Sequence, residues 1–125
     1  MYNIQTLNKI SSVGTDKFNK AKYHIADSIE NPDAIMVRSA KMHEMEFGSN
    51  LVAIARAGAG VNNIPVEKCA EAGICVFNTP GANANAVKEL VVTGLLLSSR
   101  KIPEAMAWVK TISNEGDQVP ALVEK

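Results

Sequence analysis

Short apolar runs that recur along the chain constrain its fold more than any other sequence feature. Residues 34–37, 51–55 and 74–77 are such runs, and each is followed by charged or turn-forming residues. Runs of this length are typical of strands buried in a parallel sheet. Residues 4–7 and 23–26 predict two further strands, the second of them near an edge of the sheet.

Helical segments are predicted between several of these strands. Residues 66–72 follow Pro65, which suits the first turn of a helix, and Gly73 suits the helix end. Residues 12–18 and 42–47 predict shorter helical segments. Strands that alternate with helices predict an α/β domain with a mostly parallel, five-stranded sheet. Ligands of such sheets bind beyond the carboxyl ends of the strands.

A cationic, glycine-rich stretch lies at that edge of the predicted sheet. Arg56 follows one strand and leads into Gly58-Ala59-Gly60, and Arg38 follows another strand. Glycines allow successive N–H groups to converge on an anion, and a guanidinium binds carboxylate or phosphate through paired hydrogen bonds. Taken alone, the stretch fits a tight turn with a solvated arginine slightly better. The second arginine, at a neighbouring strand end, favours a small-anion site.

No complete catalytic motif accompanies this stretch. Residues 58–60 do not continue into the dinucleotide-binding fingerprint, because Asn63 stands where its third glycine would be. The two histidines, His24 and His43, lack metal-ligand spacing and are interpreted as surface residues, and no metal is expected. The residues themselves therefore predict half of an anion-binding site and no catalytic group.

Composition excludes several classes of partner. The formal net charge is zero and aromatic residues are few, which argues against binding to nucleic acid or to an acidic membrane. No apolar run is long enough to span a bilayer and no secretory signal is present, so a cytoplasmic protein is expected. Cys69 and Cys75 are interpreted as small buried hydrophobic residues in a reducing compartment.

The segment 84–100 predicts a helix with an unusual distribution of apolar residues. Its charges lie only near its ends, and leucines and valines surround the axis between them. A helix that is apolar on all sides requires burial on more than one face. It is either the central helix of a small domain or a helix packed between two domains. Residues 102–112 predict an amphipathic helix, and residues 119–125 show no clear pattern.

Residues 55–64, 72–81 and Asn83 resemble the NAD-dependent D-2-hydroxyacid dehydrogenases, and residues 37–40 resemble the 3-phosphoglycerate dehydrogenase branch of that family. The resemblance implies a flavodoxin-like (Rossmann-type) three-layer domain that binds substrate. It assigns residues 1–98 to that domain, and residues 99–125 to a linker and the first helix of a truncated NAD-binding domain. The family's catalytic residues would lie outside this chain, which is then an inactive fragment.

The same resemblance implies roles for individual residues. Arg38 and Arg56 match arginines that hold the anionic substrate, and the glycine loop matches one whose amides bind the substrate carboxylate. Ala59 also matches a position near the nicotinamide end of NAD, which is otherwise bound by the absent domain. The implied substrate-binding residues are Arg38, Ser39, Arg56, Ala57, Gly58, Ala59 and Gly60.

The reaction implied for the whole enzyme is oxidation of 3-phospho-D-glycerate to 3-phosphohydroxypyruvate, the first step of L-serine biosynthesis. The resemblance also implies a homo-oligomer. Two alternatives stay open: a dehydrogenase for another 2-hydroxy acid such as glycerate or lactate, and a free-standing flavodoxin-like module that binds an anion or a partner protein. Two arginines favour a substrate with a second anionic group.

Overall fold

A computed structural model describes residues 1–124, which form two compact units: Met1–Asn83, and a second unit from Ala84 onward. The first unit contains all the strands of the described chain. They are β1 (Tyr2–Leu7), β2 (Tyr23–Ala26), β3 (Ala34–Val37), β4 (Ala53–Arg56) and β5 (Cys75–Phe77). Two short helices accompany them, α1 (Ser12–Thr15) and α2 (Val66–Glu71).

The five strands form one sheet in the order β2-β1-β3-β4-β5, and every pair is parallel. This order is that of the flavodoxin-like doubly wound fold. The α/β prediction is therefore confirmed, as is the edge position of β2. In the register of β3 and β4, Val37 lies opposite Arg56, so these two strands end at the same level. The loops that follow them must start side by side.

The core of this unit lies on one face of the sheet. Ile35, Val37 and Ile54 point to that face and are almost fully buried, and Cys69 of α2 packs against them. The rest of the cluster comes from the connecting segments and comprises Met42, Leu51, Ile64 and Ile74. Burial of an aliphatic side chain of this size contributes about 1.5–3 kcal/mol, so these residues hold the strand ends and the loops in one rigid block.

Helix α2 follows the predicted bounds because its end signals are local. Pro65 precedes its first turn, and Gly73 adopts a φ of +73° after its last. The Ile74 N–H donates to the Cys69 carbonyl at 2.8 Å and the Gly73 N–H donates to the Ala70 carbonyl at 3.1 Å. These two bonds form a Schellman motif, which ends the helix and directs Ile74 into the core.

Two sequence predictions about this unit are wrong. Residues 42–47 form only a turn at 43–44, because Met42 is fully buried and its N–H donates to the Asn63 carbonyl at 2.9 Å. Cys75 is exposed, whereas Cys69 is buried as predicted. Cys75 lies on edge strand β5 and pairs with Ala53, on the sheet face opposite the core.

The second unit is helical. It contains α3 (Ala84–Ser99), α4 (Ile102–Ile112), a 3₁₀ helix (Gly116–Gln118) and α5 (Val119–Val123). Helices α3 and α4 form where the sequence predicts them. The apolar side chains of α3 are exposed, and they include Val87, Leu90, Val91, Val92, Leu95, Leu96 and Leu97. No helix of residues 1–124 has both the length and the apolar composition needed to cross a membrane.

Candidate functional site

The carboxyl edge of the sheet brings together the two arginines predicted from the sequence. Arg56 is the last residue of β4, and its Nε atom donates to the carbonyl oxygen of Arg38 at 3.1 Å. Arg56 is half-buried and Arg38 is exposed. The ion pair found among residues 1–124 joins Lys68 and Glu46, so neither arginine is neutralised by a carboxylate there. Both guanidinium groups can therefore attract an external anion.

The side chain of Arg56 lies against the glycine loop that follows it. A Cβ atom on Gly58 would lie 2.8 Å from Arg56 Nη1, and one on Gly60 would lie 3.5 Å from the same atom. Neither glycine has a positive φ. A left-handed backbone conformation is therefore not the reason for glycine at these two positions. Glycine is needed at position 58 because a side chain there would occupy the space of the guanidinium, whereas a Cβ on Gly60 would make only an ordinary van der Waals contact with it.

Hydrogen bonds orient the peptide groups of this loop. The Gly58 carbonyl accepts from the Thr79 N–H at 3.0 Å, and the Ala59 carbonyl accepts from Asn78 Nδ2 at 2.6 Å. Within residues 1–124, no backbone hydrogen bond uses the N–H of Ala59 or Gly60. The N–H groups of Ala59 and Gly60 can therefore donate to an anion, and we call this pair the amide nest.

Asn63 joins this loop to the one that follows β3. The residue is 7% exposed, and its Nδ2 atom donates to the Ala40 carbonyl at 2.8 Å. Its Oδ1 atom has no hydrogen-bond partner in the described chain. The sequence shows Asn63 only as the residue that breaks the dinucleotide fingerprint. Its structural role depends on a contact between residues far apart in the sequence, which no local pattern records.

Asn8 is the second residue that sequence reasoning missed. It follows β1, and its Oδ1 atom accepts from the N–H groups of Arg38, Ser39 and Ala40. Three residues therefore hold the loop after β3: Asn8, which follows β1, Arg56 at the end of β4, and Asn63 in the loop after β4.

The chemistry of this site is that of hydrogen-bond donation. Arg38, Arg56 and the amides of Ala59 and Gly60 can bind and orient an anionic group. None of these groups accepts a proton or a hydride. In the described part of the chain, no cluster of three or more His, Cys, Asp and Glu residues could hold a metal ion. The two histidines are exposed, as predicted.

Residues 2–118 match the family model described as the catalytic domain of the D-isomer specific 2-hydroxyacid dehydrogenases. The chain is 45% identical over 85 residues to a hydroxypyruvate reductase of Thermotoga maritima, a match that covers 66% of this chain and 28% of the relative. It is 37% identical over 110 residues to a D-3-phosphoglycerate dehydrogenase of Synechocystis, covering 86% of this chain and 20% of the relative.

Two solved structures share the fold of this chain. The NAD⁺-bound 3-phosphoglycerate dehydrogenase of Entamoeba histolytica superimposes with a TM-score of 0.64 at 27% identity, covering 77% of this chain and 38% of that one. An NADPH-dependent glyoxylate/hydroxypyruvate reductase of Sinorhizobium meliloti shares the fold, with a TM-score of 0.71 at 21% identity over 96% of this chain and 41% of that one.

The chain thus spans less than a third of the length of these curated relatives. The match of the family model nevertheless covers most of the chain, including the whole sheet and the loops at its carboxyl edge. The chain belongs to the family of D-isomer specific 2-hydroxyacid dehydrogenases.

Proposed function

We propose that this chain is the substrate-binding part of an NAD-dependent D-3-phosphoglycerate dehydrogenase. That enzyme converts 3-phospho-D-glycerate into 3-phosphohydroxypyruvate, the first step of L-serine biosynthesis, and is cytoplasmic and homo-oligomeric. Residues 1–98 form its substrate-binding domain, and residues 99–125 form the linker and first helix of its NAD-binding domain. The observation that carries the proposal is the hydrogen bond from Arg56 Nε to the Arg38 carbonyl, because it joins the loop after β3 to the guanidinium that lies against the glycine loop.

The substrate offers two anionic groups, and the site offers two sets of donors. The amides of Ala59 and Gly60, together with Arg56, bind the carboxylate. Arg38 and Ser39 bind the phosphate, for which an arginine is well suited because its planar N–H groups make paired hydrogen bonds to phosphate oxygens. Ala57 and Gly58 complete the loop between them. No carboxylate in residues 1–124 competes for either arginine within ion-pair distance.

Hydride transfer needs a nicotinamide held against the substrate carbon and a group that takes the hydroxyl proton. In this proposal the group that takes the proton lies outside residues 1–125. NAD is also bound mainly outside these residues, and Ala59 approaches its nicotinamide. NAD is supported by the NAD⁺-bound 3-phosphoglycerate dehydrogenase that shares this fold. Residues 1–125 alone bind the substrate and do not oxidise it.

A second candidate is a dehydrogenase or reductase for an unphosphorylated 2-hydroxy acid. The 45% identity to a hydroxypyruvate reductase favours it. The nest and Arg56 would then serve the carboxylate as before, while Arg38 would have no anionic group to bind. The two candidate functions therefore differ in whether Arg38 binds a phosphate group of the substrate.

The test is steady-state kinetics of the complete enzyme with 3-phospho-D-glycerate and with D-glycerate. We expect kcat/KM to be about 100-fold higher for the phosphorylated substrate, because a buried hydrogen bond between charged groups stabilises a complex by about that factor. Arg38→Ala should abolish most of this preference. Arg100→Ala is the matched control, since Arg100 lies in the second unit and has no proposed contact with substrate. A preference for D-glycerate in the unmodified enzyme would establish the second candidate instead.

A further inference from the structure

We infer that Asn8 is a positioning residue that sets the preference of this site for a substrate with a second anionic group. The inference rests on the proposed function, since it acts through Arg38. The Oδ1 atom of Asn8 accepts three consecutive backbone N–H groups, from Arg38 at 3.3 Å, Ser39 at 2.9 Å and Ala40 at 2.8 Å. These contacts join residues 30 to 32 positions apart in the sequence.

Three successive N–H groups that converge on one point form a nest of the kind that binds anions in other proteins. In this chain a neutral side-chain oxygen fills the nest. The amides of Arg38, Ser39 and Ala40 are therefore not available to the substrate. At this strand end the anion can bind only the guanidinium of Arg38 and the hydroxyl of Ser39. By holding the backbone of residues 38–40, Asn8 orients both side chains.

The carbonyl groups of the same loop are held from the other side. The Arg38 carbonyl accepts from Arg56 Nε at 3.1 Å, and the Ala40 carbonyl accepts from Asn63 Nδ2 at 2.8 Å. Asn8 follows β1, and its side-chain hydrogen bonds in residues 1–124 go to residues 38–40 and not to the glycine loop. A change at Asn8 should thus affect the Arg38 end of the site and spare the carboxylate end.

The backbone of Asn8 explains why asparagine suits the position. Its φ is 75°, a left-handed conformation that asparagine adopts several times more readily than most residues. An aspartate would also tolerate this conformation and would accept the same three N–H groups. It would, however, place a negative charge next to Arg38 and oppose the binding of an anion. Only a neutral acceptor both shapes the loop and leaves its positive potential intact.

Two substitutions separate these contributions. Asn8→Gly keeps the left-handed backbone accessible and removes the acceptor, whereas Asn8→Asp keeps the acceptor and adds charge. Asn19→Gly is the matched control, because Asn19 also accepts a backbone N–H, from Ala21 at 2.9 Å, but lies outside the site. Each variant is made in the complete enzyme. Amide hydrogen exchange of residues 38–40 and the kinetics with 3-phospho-D-glycerate and D-glycerate are then measured.

We expect Asn8→Gly to speed exchange at residues 38–40 and to raise KM for 3-phospho-D-glycerate by about tenfold, with kcat within about twofold. KM for D-glycerate should rise far less. Asn8→Asp should retain slow exchange, and its rise in KM relative to the unmodified enzyme should shrink in about 0.5 M salt, because salt screens the added charge. The control should change none of these quantities.

Unchanged exchange in Asn8→Gly would overturn the inference, as would an equal loss with both substrates or a loss confined to kcat. If Asn8→Gly does not fold, Asn8→Asp decides, since a rise in KM that salt does not reduce would also overturn it. A preference of the unmodified enzyme for D-glycerate would reject the proposed function instead. The exchange data would still report whether Asn8 holds the loop.

Discussion

Arg56 donates from Nε to the carbonyl oxygen of Arg38, across 3.1 Å at the carboxyl edge of the sheet. The bond uses one N–H of the guanidinium and leaves the Nη groups beside the glycine loop, where Nη1 is the nearest atom to a Cβ built on Gly58. One side chain thus fixes the loop after β3 and also supplies donors above the loop after β4.

Replacing Arg56 by alanine should mainly weaken substrate binding. The variant loses a charged donor to the substrate and the bond to the Arg38 carbonyl, so KM should rise about 10- to 100-fold in the complete enzyme while kcat falls by much less. Arg56→Lys should recover only part of the loss, because an ammonium lacks the planar fork. Steady-state kinetics test this. A lost kcat with an unchanged KM would show that Arg56 acts in the chemical step.

Gly58→Ala should damage the site without damaging the fold. The new methyl would lie 2.8 Å from Arg56 Nη1, and the flexible guanidinium can move away, so the free energy of unfolding should change by less than about 1 kcal/mol. KM should nevertheless rise, because Arg56 is displaced from the nest. Gly14→Ala is the control, since no atom lies within 4 Å of a Cβ there.

The two effects at Gly58 can be separated by combining substitutions. In an Arg56→Ala background, Gly58→Ala should cause little further loss of binding, because the two residues act through the same guanidinium. Additive losses in the double variant would contradict the proposed dependence of Gly58 on Arg56. Urea unfolding of each variant supplies the stability values.

Asn63→Ala should destabilise the first unit by about 1–3 kcal/mol. The substitution removes the donor to the Ala40 carbonyl and creates a gap at a buried position, since Asn63 is only 7% exposed. Asn62→Ala is a matched control on an exposed neighbour and should cost less than about 0.5 kcal/mol. Urea unfolding measures both. Equal effects at the two positions would mean that the contact with Ala40 contributes nothing to stability.

The fold was predictable from sequence where the determining contacts are local. Pro65 and Gly73 mark helix α2 within a few residues of its ends, and the apolar run at 34–37 coincides with β3. Elements with local signals of this kind can be predicted from neighbouring residues in the sequence, without the tertiary structure. Helix α5 was not predicted, although Pro120 lies in its first turn.

The remaining features depend on contacts between distant segments. The apolar composition of β5 does not indicate which face of this edge strand packs against the core, so the exposure of Cys75 could not be predicted. The arginines at the carboxyl edge were predictable because parallel strands end together. Asn8 and Asn63 were not, since each acts through hydrogen bonds to the loop at 38–40, and an asparagine after a strand is equally typical of an ordinary turn.

Cys69 should make the stability of the first unit depend on pH in alkaline solution. Burial raises the pKa of its thiol above the ordinary value of 9.0, and the positive charge of Lys68 offsets part of this rise. The unfolded thiol ionises first as pH increases, so the unfolded state loses its proton before the folded state does. Stability is therefore retained below pH 9.0 and falls as pH rises through and above it.

The measurement for Cys69 is urea unfolding at about pH 7 and about pH 10 for the unmodified chain and for Cys69→Ala. The alanine variant starts less stable, because it loses buried volume, but it should lose less stability between the two pH values. Cys75→Ala is the control, since that thiol is exposed. The same pH dependence in all three proteins would assign the effect to other groups.

The exposed leucines of α3 should make residues 1–125 associate in solution. Leu90 is 73% exposed and Leu95 is 67% exposed, and they belong to a continuous set of apolar side chains around the helix. Large exposed apolar surfaces of this kind drive association. Light scattering at increasing concentration should report species larger than a monomer. Leu90→Glu combined with Leu95→Glu should shift the chain towards the monomer, whereas Val13→Glu, on α1, should not. A clean monomer at high concentration would contradict this prediction, because it would show that the apolar faces of α3 tolerate water.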